Sequence, residues 1–182
     1  MFTDKFTDLK KHNVLMLMLL LPLYVIGAAV YLLYYDYANI FATFYKSTFL
    51  LEILILAVGV FVFLGVSLVA KSVVLSLFAK NGFDNVKFKI IKETQKPYCC
   101  LTDRIKTRQY QFALAVYILI MGIAPYLISL ILGDFIFILA SFVCVYFTGA
   151  DILFFIALFG EKNSSYVLDF DGLLSYRIYG DK

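Results

Sequence analysis

The chain has 182 residues, of which 63% are hydrophobic and 16% are charged, and its formal net charge is +3. A soluble domain is about 45–50% apolar and about 25% charged, so the composition excludes an ordinary water-soluble globular fold. The small net charge gives no reason to expect a nucleic-acid partner, and an odd set of three cysteines excludes a disulfide framework.

Charged residues divide the chain into four long apolar blocks, which predict four transmembrane helices at residues 13–35, 49–78, 109–133 and 135–160. A helix needs about 20 residues to cross about 30 Å of hydrocarbon. The first and third blocks meet this length without charges. The second and fourth meet it if Glu52, Lys71 and Asp151 lie near interfaces or are buried in protein. The length of the first block argues against a cleaved signal peptide.

Basic residues are distributed unevenly between the predicted loops. The N-terminal tail carries three, the loop 79–108 carries eight and the tail 161–182 carries three, whereas the loop after the first span carries Lys46 alone. Loops rich in lysine and arginine stay in the cytoplasm, so both termini and the loop 79–108 are predicted to be cytoplasmic. We therefore expect one integral domain of the cell (inner) membrane, residues 1–182, with an all-α bundle of four spans.

The loop 79–108 also predicts a small cytoplasmic β element. Residues 86–90 alternate between apolar and basic side chains, which is typical of a short strand. Residues 165–168 and 175–179 of the tail are the expected partners. The basic residues either follow the topology rule alone or also attract anionic lipid. Cys99 and Cys100 cannot complete a tetrahedral metal site, because no second pair of ligands exists, and are predicted to be reduced thiols.

Between Gly65 and Tyr179, several short segments follow one another in a characteristic order and spacing: Phe78–Phe83, Val86–Phe88, Pro97–Cys99, Lys106–Tyr110, Gly122–Pro125, Ile131–Asp134, Gly149–Asp151 and Ile178–Tyr179. Together they resemble the bacterial multi-pass membrane proteins of a zincin-peptidase family, which is distantly similar to site-2 proteases. That resemblance implies a bundle whose second span carries a His-Glu-x-x-His zinc motif at its cytoplasmic end, with a downstream aspartate as the third ligand.

The zinc motif of the family is missing from this chain. An ungapped register places it on residues 67–71, from Ser67 to Lys71, and a shifted register places it on residues 70–74. Neither segment contains histidine or glutamate, and His12 is the only histidine in the chain. Of the positions that the resemblance implies, only the aspartate is retained, as Asp151. We therefore expect neither a metal nor another cofactor, and Ser67, Lys71 and Asp151 are vestigial metal-site positions.

Two main hypotheses for function follow. In the first, the chain is a non-catalytic pseudo-protease that acts by binding lipid, a membrane-protein partner or a second copy of itself. In the second, it is a membrane hydrolase of another class that uses Ser67, Lys71 and Asp151, since a desolvated lysine can serve as a base. A small transporter has little support, because the spans carry no polar stripe.

The charges of Lys71 and Asp151 leave one structural question open. Lys71 lies nine residues before Lys80 and Asp151 lies nine residues before Gly160, each near the predicted cytoplasmic end of its span, so both have a similar depth. Either the two side chains form an ion pair inside the bundle, as intramembrane charges usually do, or each reaches the interface independently.

Overall fold

The computed structural model describes residues 2–5, 9–35, 49–90, 97–159, 165–169 and 176–179. Helices account for most of this part of the chain. They are α1 (Leu9–Tyr34), α2 (Phe49–Ser76), α3 (Thr107–Ile118), a π-helical turn (Leu119–Ile123), α4 (Ala124–Leu132) and α5 (Phe135–Leu158).

Among the described residues, three helical segments are long and apolar enough to cross a membrane: Leu50–Ser76, Thr107–Leu132 and Phe135–Leu158. They coincide with the second, third and fourth predicted blocks, so helices are confirmed there, and their length and composition are those of membrane spans. The first block is also helical, within α1, but its apolar stretch of Met18–Tyr34 is shorter than the other three.

Helix α5 is the central element of the bundle, because α1, α2, α3 and α4 all pack against it. The π-helical turn between α3 and α4 makes a particularly close approach to it. A Cβ atom added to Gly122 would lie 2.7 Å from Thr148 Oγ1 on α5. Small residues allow transmembrane helices to approach each other in this way, which increases the van der Waals contact between them.

The irregularity between α3 and α4 has a local cause in Pro125. Proline has no backbone N–H, so residue 125 cannot donate to the carbonyl of Met121. Just before it the helix widens, and the N–H of Ala124 donates to the carbonyl of Leu119, a bond of the π type. The chain therefore passes the proline within one continuous helical segment.

A tight connection joins α4 to α5. Gly133 ends α4 with φ of 67°, the left-handed conformation that glycine adopts without steric cost. The carboxylate of Asp134 then accepts hydrogen bonds from the backbone N–H groups of Ile136 and Phe137, and so caps the start of α5. The hydroxyl of Tyr35, just after α1, donates to the carbonyl oxygens of Leu130 and Ile131 at the end of α4.

In the described part of the chain, six strands form two antiparallel sheets: β1 (Phe2–Lys5), β2 (Val86–Ile90), β3 (Pro97–Leu101), β4 (Ile105–Lys106), β5 (Tyr166–Asp169) and β6 (Tyr176–Tyr179). The four-stranded sheet has the order β1-β6-β5-β4, and the other consists of β2 and β3. The predicted strands at residues 86–90 and in the tail are confirmed. Their predicted pairing is wrong, because β2 pairs with β3 rather than with the tail.

A physical reason for this pairing is the short connection between β2 and β3. Only residues 91–96 separate them, so forming the hairpin closes a small loop, whereas pairing with the tail would close a loop of more than seventy residues. The tail strands pair with each other and with β1 and β4 instead. The helical bundle therefore carries a small β element, as predicted, but this element consists of two sheets instead of one.

The main hydrophobic core lies where the strands meet the ends of the helices. It joins Leu75 of α2, Cys99 and Leu101 of β3, Leu158 of α5 and Val167 of β5, all almost fully buried. A second cluster packs α1 against α4 and α5 through Met16, Leu20, Tyr126, Val145 and Leu153. Strands β3, β4 and β5 are thus fixed to one end of the bundle by the same core that holds the helices together.

Candidate functional site

The three residues singled out in the sequence converge with a fourth, Tyr117, inside the bundle. Ser67 and Lys71 lie one turn apart on α2, Tyr117 lies on α3 and Asp151 lies on α5. Residues four apart share one face of a helix, so α2 presents both side chains towards the other two helices. These four residues are called the polar cluster below.

Lys71 and Asp151 form an ion pair within the polar cluster. The Nζ atom of Lys71 donates a hydrogen bond of 2.6 Å to Oδ1 of Asp151. Each side chain is only 15% exposed. The similar depth of the two residues suggested an ion pair, and the structure confirms it. The alternative, in which each side chain reaches the interface independently, is not observed. A charge without a counter-ion at membrane depth costs roughly 3 kcal/mol or more, which gives the pairing its physical cause.

Ser67 and Tyr117 form the second contact of the polar cluster. Their hydroxyl oxygens lie 2.6 Å apart, and either can be the donor. Both residues are buried, with Ser67 on α2 and Tyr117 on α3. The contact thus adds a hydrogen bond between two helices in a region where few other polar groups can serve as partners.

The ring of Tyr117 links the two halves of the cluster. The Nζ atom of Lys71 lies 5.9 Å from the ring centroid, within the range of a cation–π interaction. The sequence does not identify Tyr117 as a member of the cluster. A tyrosine in an apolar block is equally typical of core packing or of the aromatic residues that lie at a membrane–water interface. Only the position of α3 against α2 shows its role.

The polar cluster adjoins the main hydrophobic core. Tyr117 belongs to that core together with Ile118, Met121 and Phe154, and Cys99 of β3 lies in it as well. An apolar environment strengthens the attraction between a cation and an anion, and it raises the cost of leaving either without a partner. Cys99, Cys100 and Cys144 are buried, and none of them forms a disulfide with another described residue.

The residues at this site do not fit a zinc centre of the zincin type. Protein zinc ligands are cysteine, histidine, aspartate and glutamate, and catalytic sites need about three of them. Asp151 is the only such residue in the polar cluster, and its carboxylate is engaged by an ammonium group. In the part of the chain that the structure describes, no group of three or more such ligands comes together.

The shifted register fits zinc no better. It would use residues 70–74, where Ser72 is buried and its hydroxyl donates to the carbonyl of Val69 in the same helix. The backbone of His12 lies in α1, and its side chain lies outside the described residues.

The geometry also bears on the use of Ser67 as a nucleophile. A lysine that activates a serine must offer a neutral amine with a free lone pair. Lys71 instead donates to Asp151, while Ser67 is bonded to Tyr117. The arrangement is thus suited to joining three helices through polar contacts rather than to activating a hydroxyl group.

No protein-family model, curated protein or solved structure matches the chain.

Proposed function

We propose that the chain is a pseudo-protease of the cell (inner) membrane, with the scaffold of a zincin-type peptidase but without its chemistry, and that it acts by binding. The observation that carries the proposal is the ion pair between Lys71 and Asp151. In the family that the sequence resembles, a zinc ion neutralises the aspartate. Here a lysine at a former ligand position supplies the positive charge, so the scaffold stays stable without metal.

We further propose four spans with both termini in the cytoplasm. Helix α1 has 26 residues, about 39 Å at 1.5 Å per residue, which is long enough to cross the hydrocarbon. Strand β1 pairs with β6, so the two terminal segments lie in one sheet, which also contains β4 before α3. Termini on the same side require an even number of crossings, and the distribution of basic residues assigns that side to the cytoplasm.

The binding partner in this proposal is another membrane protein or a second copy of the chain, in addition to the lipid bilayer. The alternative, a hydrolase that uses Ser67, Lys71 and Asp151, has less support because Lys71 and Ser67 are engaged by Asp151 and Tyr117. The two functions differ in whether the Ser67 hydroxyl is needed.

The experiment compares membrane proteomes of cells that carry the wild-type gene, the Ser67→Ala variant or no gene. A protein that acts by binding keeps the wild-type pattern in Ser67→Ala, provided that the variant is present at wild-type level. Ser72→Ala is a matched control, since Ser72 is also a buried serine of α2. Hydrolysis would be shown by membrane proteins that are cleaved in wild-type cells but accumulate uncleaved in Ser67→Ala and not in Ser72→Ala. This result would refute the proposal.

A further inference from the structure

The third helical segment, Thr107–Leu132, turns two tyrosines towards the bundle although they are nine residues apart. Tyr117 on α3 and Tyr126 on α4 are each only 4% exposed. In a regular α-helix nine residues make about two and a half turns, so the two side chains would project to opposite sides. Both are nevertheless buried in one bundle, in which α3 and α4 pack against α5.

The π-helical turn between the two tyrosines removes this conflict. The N–H of Ala124 donates to the carbonyl of Leu119, five residues back, so the turn contains one residue more than an α turn. Because this surplus residue is taken up locally, the angle between the tyrosines is set by one residue fewer. At about 100° per residue, the angle falls from about 180° to about 80°.

The exposure of the neighbouring residues shows the same displacement. Steps of three and four residues keep side chains on one helix face. From Tyr117 through Met121, both buried, such steps lead to residues 125 and 128. Ile128 is 56% exposed, whereas Ser129 is 3% exposed and donates a hydrogen bond to Ser141 of α5. The buried side of the segment is thus displaced by one residue across the π-helical turn.

Contacts to three other helices depend on this displacement. Tyr117 bonds Ser67 on α2, and the hydroxyl of Tyr126 donates to the carbonyl of Leu23 on α1 over 2.9 Å. Within the turn itself, Gly122 makes the close approach to α5. A regular helix of the same sequence could direct one tyrosine or the other towards its partner, but not both.

Pro125 alone does not account for the displacement. A proline removes one backbone hydrogen bond, and helices commonly pass a proline with a kink, without taking up an additional residue. The missing N–H therefore favours an irregular turn at this place in the segment. The packing on both sides of the turn is what requires the surplus residue.

We propose that the π-helical turn is a register device, which takes up one surplus residue and so holds α3 in the rotation at which Tyr117 completes the polar cluster. Passing that residue into an α turn would add about 100° of rotation and about 1.5 Å of length between α3 and α4. Ile118 would then take the place of Tyr117 beside Ser67, and the cluster would lose its link to α3. This proposal does not depend on the pseudo-protease function.

Deletion of a single residue tests the surplus directly. Without Ile120, Leu119 and Ala124 are four residues apart, so their present hydrogen bond becomes that of an α turn and the flanking contacts keep their register. Deletion of Ile128 is the matched control, because it removes an isoleucine of similar exposure from the same segment, 56% against 52%. That deletion has no surplus residue to draw on, and it rotates the two ends of α4 by about 100° relative to each other.

Thermal unfolding of the full-length proteins in detergent is followed by circular dichroism. The Ile120 deletion should lower the unfolding midpoint several-fold less than the Ile128 deletion. Ser67→Ala reports on the contact with Tyr117, and it should lower the midpoint of the Ile120 deletion by as much as it lowers that of the wild type. Equal losses for the two deletions would overturn the proposal. An effect of Ser67→Ala that disappears when Ile120 is absent would overturn it too.

Pro125→Ala separates the register device from the proline. It restores a backbone N–H at residue 125 but leaves the number of residues unchanged, so the π-helical turn should persist. The midpoint shift caused by Ser67→Ala should therefore be the same in Pro125→Ala as in the wild type. A shift that is lost in Pro125→Ala would mean that the proline alone sets the rotation of α3, and the proposal would be wrong.

Discussion

The Nζ atom of Lys71 lies 2.6 Å from the Oδ1 atom of Asp151, although the two residues are 80 positions apart in the sequence. The contact joins α2 to α5, the central helix of the bundle. Because both side chains are mostly buried, the pair acts as a constraint on how α2 packs, and its removal should be measurable as a loss of stability.

Removal of one partner of this pair should destabilise the protein more than removal of both. Lys71→Met and Asp151→Asn each leave a buried group without its counter-charge, and breaking a buried pair in this way costs about 3–5 kcal/mol. The double variant leaves neither charge, so we expect it to lose much less than the sum of the single variants. Thermal unfolding in detergent, followed by circular dichroism, measures all four proteins.

Lys80→Met is the control for this cycle, since Lys80 is an exposed lysine beyond the end of the same helix. It should change the unfolding midpoint little, because exposed charges contribute about 0–1 kcal/mol. Small and additive effects of Lys71→Met and Asp151→Asn would mean that the two charges stabilise the protein independently, and would contradict the pair.

Part of the polar cluster could be predicted from the sequence, because depth in a helix follows from counting. Lys71 and Asp151 each lie nine residues before a residue near the cytoplasmic end of the predicted span, Lys80 and Gly160, and charges at similar depth in one bundle tend to pair. Tyr117 could not be found in this way. Its role depends on the rotation of α3 about its own axis relative to α2. The residues around it, 112–118, are apolar almost throughout, so their hydrophobic pattern is too weak to define that rotation.

The strands, too, divide into those that the sequence predicts and those that it does not. Residues 86–90 are recognisable because apolar and basic side chains alternate, and that pattern is local. Their partner was not recognisable, because Pro97–Leu101 has no alternation and contains two adjacent buried cysteines. Strand β1 was missed altogether. It has only four residues, and its pairing with β6 joins opposite ends of the chain, a contact that no local pattern indicates.

The hydrogen bond between Ser67 and Tyr117 predicts unequal effects of removing its two hydroxyl groups. In Tyr117→Phe, Ser67 can donate to a carbonyl of its own helix, as Ser72 and Ser76 do to Val69 and Val73. We therefore expect a loss of about 0.6 kcal/mol, typical of such bonds in membranes.

In Ser67→Ala, the buried hydroxyl of Tyr117 loses its partner and has no comparable bond within its own helix, so the expected loss is about 1–3 kcal/mol. Chemical unfolding in mixed micelles can resolve this difference. A larger loss in Tyr117→Phe than in Ser67→Ala would contradict this account of the bond.

Gly133 should tolerate alanine poorly for two separable reasons. Its φ of 67° is unfavourable for any residue with a Cβ atom, at a cost of about 1–3 kcal/mol. The added Cβ would also clash with Cε1 of Tyr35. The ring would have to move, which would weaken the hydrogen bonds of its hydroxyl to the end of α4. We expect Gly133→Ala to lower the unfolding midpoint clearly.

Gly82→Ala separates the two effects, because Gly82 also has a positive φ but an added Cβ there would meet no atom within 4 Å. The loss in Gly133→Ala should exceed that in Gly82→Ala by the cost of displacing Tyr35. The excess should shrink when both glycine variants are compared in a Tyr35→Ala background. An equal loss for the two glycines would show that the contact with Tyr35 is unimportant.

The proposed orientation predicts which residues a membrane-impermeant maleimide can reach in intact cells. Cys99, Cys100 and Cys144 are buried, so the wild-type protein should give little background labelling. With the basic loop in the cytoplasm, a thiol at Lys87→Cys should stay unlabelled until the membrane is permeabilised. A thiol at Lys46→Cys, at a position outside the described residues, should react from outside at once.

Labelling of Lys87→Cys in intact cells, at the rate seen for Lys46→Cys, would invert the orientation. Access to both sites only after permeabilisation would place the two loops on the same side and would rule out the predicted crossing by α2.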